Sequence, residues 1–226
     1  YHHEKIFENN AKYLDHVIVL NYDYAEKYKR NFNIDCNVIY NPKSFISEKK
    51  SNLMNKHFIT CGRFERCKGF DLLIEAFSIV SKFDDEWDLW IAGDGKLNKK
   101  IKKRVNELKL GERVTLFGQV DDVCKLLTEA SVYLLPSRFE GFPMSVIEAY
   151  EVGLPVVAFN IPAMIPFKMK GAAKTVECYD VNKYAEAMLE ISGSYEERYS
   201  MSKKALELAE ELSPEKIAES WDVFTK

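Results

Sequence analysis

Ser137-Arg-Phe-Glu-Gly-Phe-Pro-Met-Ser-Val-Ile-Glu-Ala-Tyr-Glu-Val-Gly-Leu-Pro-Val-Val-Ala-Phe159 is the stretch whose reading decides the fold. It reads as the end of a strand, a loop, a helix, a tight stop and the next strand. Pro143 suits a first helical turn, where a missing N–H costs nothing, and Gly153 followed by Pro155 is a helix stop. A helix opening there aims the amides of Met144 and Ser145 out of the carboxyl end of the preceding strand. Unpaired amides at the positive end of a helix dipole make an anion site. Two carboxylates flank that position, Glu140 just before the helix and Glu148 in its second turn.

Outward from this stretch the same alternation recurs. Strands are expected at residues 57–61, 87–92, 113–117, 132–135, 156–159 and 174–177, and helices at 69–83, 96–108 and 120–130. Three helices finish the chain up to Phe224. Strands alternating with helices of ten or more residues imply right-handed crossovers, hence an α/β fold: a Rossmann-like parallel sheet with helices on both faces. Ligands of such sheets sit outside the carboxyl ends of the strands. Ahead of this domain, residues 14–20 and 36–40 read as strands around a helix at 22–32. Asn41-Pro42 breaks that pattern. Residues 44–56, lysine-rich and aperiodic, read as a linker. The expected division is therefore 1–43, a linker over 44–56, a Rossmann-like domain over 57–212, and a carboxyl-terminal helix over 213–226 returning toward the amino-terminal part.

Composition narrows the function classes. The chain has 226 residues, 46% of them hydrophobic, enough for a large core. A net charge of −3 argues against nucleic acid as a partner. No apolar run approaches a membrane span and no secretory signal opens the sequence. Five cysteines without a CxxC pair read as reduced thiols of a cytoplasmic protein rather than a zinc or disulfide framework. His2 and His3 are given no role.

The chemistry-bearing residues fall in four loops, each after a strand. They are Gly62-Arg-Phe-Glu-Arg-Cys-Lys-Gly69, Gly93-Asp-Gly95, Gly118-Gln-Val-Asp-Asp122 and the 137–141 loop with Ser137, Glu140 and Gly141. All four open on one rim of the sheet. Cations on the first loop and helix amides on the fourth can neutralise a diphosphate from two sides. Each piece alone has a bland reading: Arg63 and Lys68 as solvated surface cations, Gly93-Asp-Gly95 as a turn, Glu148 as an ordinary helix residue. Their joint placement is the signal. No GxGxxG follows the first strand of this domain, and no GxxxxGK[ST] or GxSxG occurs. No histidine pair or carboxylate cluster has metal-ligand spacing, so no metal is expected. Glu140 and Glu148 are expected on the order of 10–15 Å apart, wider than the ~5–9.5 Å of a glycosidase pair.

The sequence resembles the carboxyl-terminal domain of a GT-B glycosyltransferase of the retaining family 4 (glycosyl transferases group 1). Gly62-Arg63 with Lys68-Gly69 matches that family's GR(L/F)xxxKG loop, and Glu140-Gly-Phe-Pro-Met-Ser-Val-Ile-Glu148-Ala its E-x7-E element. Gly93-Asp-Gly95, the stretch 114–118 and the stretch 153–157 fall where the family has counterparts. The resemblance is strong over residues 57–160. It implies that Arg63 and Lys68 hold the diphosphate of a UDP- or GDP-linked sugar, helped by amides around Met144 and Ser145. Glu140 would then bind sugar hydroxyls, Glu148 the ribose, and the backbone of 117–120 the base, with Gly62, Gly93, Gly118, Gly141 and Phe142 completing the donor site. Arg63, Lys68 and Glu140 are the catalytic candidates.

The resemblance further implies hexosyl transfer with retention and no metal or other cofactor. The acceptor would be a glycan or lipid-linked, in polysaccharide biosynthesis at the inner face of the membrane, with possible peripheral association of the full-length enzyme. Two departures stand out. The loop over residues 160–171 lacks the family's Gly-rich, Pro-Glu-containing pattern and is expected to be irregular. Of the acceptor-binding amino-terminal domain only a last helix–strand–helix is expected, at residues 3–32. Whether the chain is a piece of a longer protein or short and self-sufficient stays open. So does a rival reading, a non-catalytic nucleotide-sugar-binding module or partner subunit. A nucleotide-sugar epimerase is a third reading, by fold analogy alone.

Overall fold

In a computed structural model, which describes residues 10, 11 and 13–224, the first two strand signals shrink to a minimal pair. Strand β1 (Ile18–Val19) runs parallel to β2 (Asn37–Val38), with Ile18 opposite Asn37. Only Val19 and Ile39 of these runs are buried, so most of the longer apolar stretches stay at least partly exposed. Helix α1 (Tyr22–Phe32) between them has its expected limits. The Asn21 side chain accepts the Tyr24 N–H at 2.8 Å, and Asn33 ends the helix at φ 54°, a left-handed conformation that asparagine tolerates. The expected helix signal before residue 10 lies outside the described residues. The described chain divides into two compact units, residues 43–210 and residues 1–42 with 211–226.

The larger unit holds a six-stranded sheet. Its strands are β3 (His57–Cys61), β4 (Asp88–Ala92), β5 (Val114–Gly118), β6 (Val132–Leu135), β7 (Val156–Phe159) and β8 (Ala173–Val176). The spatial order is β5-β4-β3-β6-β7-β8 and every pairing is parallel. Strands β6 and β7 are buried at every position, which is why they read as unbroken apolar runs rather than alternating ones. The crossovers are α2 (Phe70–Val80), α3 (Asn98–Glu107), α4 (Val123–Thr128) and α5 (Met144–Glu151), followed by α6 (Ile165–Met169) and α7 (Val181–Gly193). Helix α2 packs along α7 and against α3. Helix α8 (Tyr195–Glu211) follows, and α9 (Pro214–Trp221) belongs to the smaller unit, where Phe224 meets His16 edge to face at 4.8 Å.

Two expectations change. Residues 160–171 are not irregular: a 3-10 turn over Pro162–Met164 runs into α6. Pro162 and Pro166 stand in first turns, where proline starts a helix rather than breaking one. Residues 44–56 contain no helix or strand but are tied down along their length. Ser51 N–H donates to the Val152 carbonyl at 2.8 Å, and the Leu53 carbonyl accepts from the buried Arg198 guanidinium at 3.3 Å. Arg198 also takes the Ile191 and Ser192 carbonyls at the end of α7 and lies 5.1 Å from the Trp87 ring.

Candidate functional site: a cleft at the topological switch point

The strand order reverses between β3 and β6. To one side the chain steps outward through β4 and β5, to the other through β7 and β8. The loops leaving β3 and β6 therefore diverge and leave a crevice at their carboxyl ends. Tyr133, fully buried on β6, braces this point. Its hydroxyl accepts the Cys61 N–H at 3.3 Å and lies 3.2 Å from the Cys61 carbonyl, and it bonds the Ser145 side chain at the start of α5.

Two adjoining cavities occupy the crevice. One, of about 400 Å³, is bordered by Arg63 and Lys68 from the first loop, by Glu140 and Phe142 from the fourth, and by Met144, Ser145 and Glu148 from α5. The other, about 610 Å³, shares Gly62 and Arg63 and adds Gly93, Asp94 and Gly95 from the second loop and Gln119 and Val120 from the third. All four predicted loops thus meet at one rim. Gly118 and Gly141 border neither cavity. Gly118 acts through its backbone: its carbonyl accepts the Gly93 N–H at 2.6 Å, beside a bulge where β4 and β5 shift register.

The loops are joined main chain to main chain. Gly62 N–H donates to the Ala92 carbonyl at 3.0 Å, Phe64 N–H to Asp94 at 2.9 Å, and Arg138 N–H to Cys67 at 2.7 Å. Gly93 lies so close to the first loop that a Cβ there would stand 1.9 Å from the Gly62 carbonyl oxygen, at a φ of +135°. Arg138 forks onto Asp71 at 2.8 and 2.7 Å and fixes the fourth loop to the start of α2.

The charged side chains fall into unequal environments. Lys68 Nζ reaches Glu140 Oε1 at 2.8 Å and Oε2 at 3.0 Å, and Ser137 donates to Oε1 at 2.6 Å. Glu140 is nearly buried, with its side chain 9% exposed, whereas Arg63 is 79% exposed and lies 3.5 Å from Glu65. Glu148 accepts from Ser44 Oγ at 2.8 Å. Burial raises its carboxyl above the ordinary range, and the Ser44 bond only partly opposes this. Cys61, also lining the cleft, is pushed up to about 12 by burial, so its thiol stays protonated at neutral pH.

The helix start differs from the sequence expectation. Pro143 is the N-cap of α5 rather than its first residue, and the Met144 N–H closes back onto the Phe142 carbonyl at 3.0 Å. Met144 therefore offers no free amide. Ser44 and Ser137, which orient the two carboxylates, carried no motif of their own. Ser137 stands three residues before Glu140, but Ser44 is 104 positions from Glu148 and no local pattern links them. Among the described residues no group of three or more His, Cys, Asp or Glu side chains is gathered as a metal site would need.

Comparison with known proteins gives the family. The family model of the glycosyl transferases group 1 matches residues 43–208. An uncharacterized glycosyltransferase of Haemophilus influenzae is 30% identical over 203 residues, covering 88% of this chain and 56% of that protein. The poly(ribitol-phosphate) alpha-N-acetylglucosaminyltransferase of Staphylococcus aureus is 29% identical over 228 residues, 96% of this chain and 45% of its own. The chain thus spans about half the length of these two relatives. Among solved structures, a mutant of S. aureus TarM in complex with Fondaparinux, alpha-GlcNAc-glycerol and UDP superposes with a TM-score of 0.88 at 27% identity, over 96% of this chain and 45% of that one. The lipopolysaccharide glycosyltransferase WaaG, at 16% identity and a TM-score of 0.76, covers 91% of this chain and 61% of its own and shares the fold. With its sheet order, its rim of four loops and a family match over residues 43–208, this chain belongs to the glycosyl transferases group 1.

Proposed function

We propose that this chain is the donor-binding, carboxyl-terminal half of a retaining, family 4 hexosyltransferase that moves a sugar from a nucleotide-sugar to a glycan or lipid-linked acceptor. The observation that carries this reading is the convergence of Arg63, Lys68 and Glu140, from the two loops that flank the switch point, and of Glu148, from α5, on one cavity. Arg63 and Lys68 hold the diphosphate. An ammonium has three donors, so Lys68 keeps Glu140 with two and gives the third to a phosphate oxygen. The bond between the anomeric carbon and the phosphate oxygen breaks with its electron pair on the diphosphate, the acceptor hydroxyl oxygen bonds to that carbon, and the hydroxyl proton passes to the departing diphosphate. The two cations stabilise that charge as it develops, without a metal in this reading. Glu140, held by Lys68 and Ser137, takes sugar hydroxyls, and Glu148 the ribose. The base lies along Gln119 and Val120. UDP bound to the similar TarM supports a uridine donor over a guanosine one. Action at the cytoplasmic face of a membrane belongs to the same proposal.

Titration calorimetry tests it. Arg63→Ala and Lys68→Ala each remove one charge-assisted contact, worth roughly 1.5–3 kcal/mol. UDP affinity is expected to fall about tenfold or more for each. Glu148→Gln weakens UDP and UDP-sugar alike, whereas Glu140→Gln spares UDP and weakens only the UDP-sugar. Wild-type affinity in both cation variants, or equal effects of the two Gln variants on both ligands, refutes the assignment.

A further inference from the structure

Helix α3 concentrates charge against the balance of the chain. Between Lys96 and Lys109 stand seven lysine and arginine residues and one glutamate, in a protein of net charge −3. The apolar residues of this helix, Ile101 and Val105, face the core, while Lys96, Lys99, Lys100, Lys102 and Lys103 are exposed. Beside the helix lies a cavity of about 390 Å³, bordered by Arg66, Lys100, Arg104 and Arg138 with a single carboxylate, Asp71.

Two of these four cations are already matched. Arg138 forks onto Asp71, and Arg104 is held by Glu75 at 3.0 Å and by Glu107 at 3.1 Å. These pairs leave their stretch of the wall nearly neutral. Arg66 and Lys100 have no carboxylate partner among the described residues, and both are exposed. Uncompensated positive charge beside a concave wall is a place for a phosphate, which guanidinium binds through two parallel N–H bonds. The cationic row does not stop at the cavity. Lys96, in the turn just before the helix, and Lys99 and Lys103 on it, the last 3.6 Å from Glu107, continue it, so a lone phosphate leaves most of it unused and a chain of repeating negative charge matches it. A bilayer fits less well, because among residues 96–109 no large apolar side chain is exposed to enter it.

We propose that this cavity and the α3 lysines bind the phosphate groups of a water-soluble polyanionic chain, one phosphate between Arg66 and Lys100 and further ones along the helix. The site is separate from the cleft. The 3-10 turn over Arg66–Lys68 lies between them and sends Lys68 to one and Arg66 to the other.

Inorganic polyphosphate is the probe, titrated into the labelled chain at low salt with and without excess UDP. Saturable binding is expected that UDP does not displace. The Arg66→Glu/Lys100→Glu double variant loses at least tenfold in affinity, and the milder Arg66→Gln/Lys100→Gln pair loses part of that. Lys203→Glu/Lys204→Glu on α8, the same charge change elsewhere, stays within about twofold of wild type. Vesicles of phosphatidylglycerol bind more weakly than polyphosphate at equal phosphate. Equal losses in the α8 control, no loss in the Arg66/Lys100 variants, displacement by UDP or tighter binding to vesicles each overturns the proposal.

Discussion

Glu148 and Glu151 stand three residues apart on α5 and are driven in opposite directions. Burial raises both carboxyls. For Glu148 only the Ser44 hydroxyl resists, and the carboxyl ends above its ordinary value. For Glu151, Lys43, Lys50 and the Ser47 N–H together overcome burial and hold it below. The pH dependences therefore have opposite sign. A carboxyl raised on folding disfavours the folded state once ionised, so Glu148→Gln is expected to melt above wild type at pH 7, with the gap closing as pH falls through the carboxylate range. Glu151 contributes stability that is present above its unfolded value and lost as pH falls through its folded one. Its removal also leaves Lys43, whose side chain is 6% exposed, with the more distant Glu210 carboxylate at 3.7 Å in place of Glu151 at 2.8 Å. Glu151→Gln is therefore expected to lose about 3–5 kcal/mol at pH 7, as a broken buried pair does, and less in acid. Melting curves from pH 3 to 8 check both signs. The carboxylates themselves were legible, because Glu140, Glu148, Arg63 and Lys68 sit in short local patterns. Long-range partners were not: Ser44 lies 104 positions from Glu148, and Glu151 is held by Lys50, within the stretch read as a linker, and by Lys43 just ahead of it, each more than 100 positions away.

At the scale of elements, the sheet was legible nearly strand by strand, since strands buried on both faces leave continuous apolar runs between turn signals. Helix α6 was not, because its prolines read equally as breakers and as starters, and only the chain's course after β7 decides between them. Nor could the sequence show why the rim glycines are glycines. Gly93 and Gly118 both have positive φ, but only Gly93 has a backbone oxygen where its Cβ would go; nothing lies within 4 Å of one at Gly118. Gly118→Ala should then cost only the left-handed conformation, about 1–2 kcal/mol. Gly93→Ala must also push the first and second loops apart. It is expected to be the more destabilising of the two and to weaken nucleotide binding at least tenfold, where Gly118→Ala keeps it within a fewfold. Paired melting and titration of the two variants separate contact from conformation.

Across the whole chain, stability is expected to be uneven. The larger unit has six paired strands, four of them with a strand on both sides, while among the described residues the smaller has two strands of two residues each, α1 with no buried residue and α9 with one. Few buried apolar contacts mean cheap local opening. Native-state hydrogen exchange should therefore find the amides of α1 exchanging orders of magnitude faster than those of β3, β6 and β7; equal protection would show a single cooperative block. The lysines of α3 have a consequence at this same scale. Outside residues 96–109 the chain carries nine more acidic than basic side chains, so its acidic isoelectric point conceals one strongly cationic flank. On an ion-exchange column such a molecule has two characters. Bulk charge sends it to the anion exchanger at neutral pH, yet a sulfonate resin can grip it by α3 alone, and diffusing toward any negatively charged surface it would turn that helix foremost.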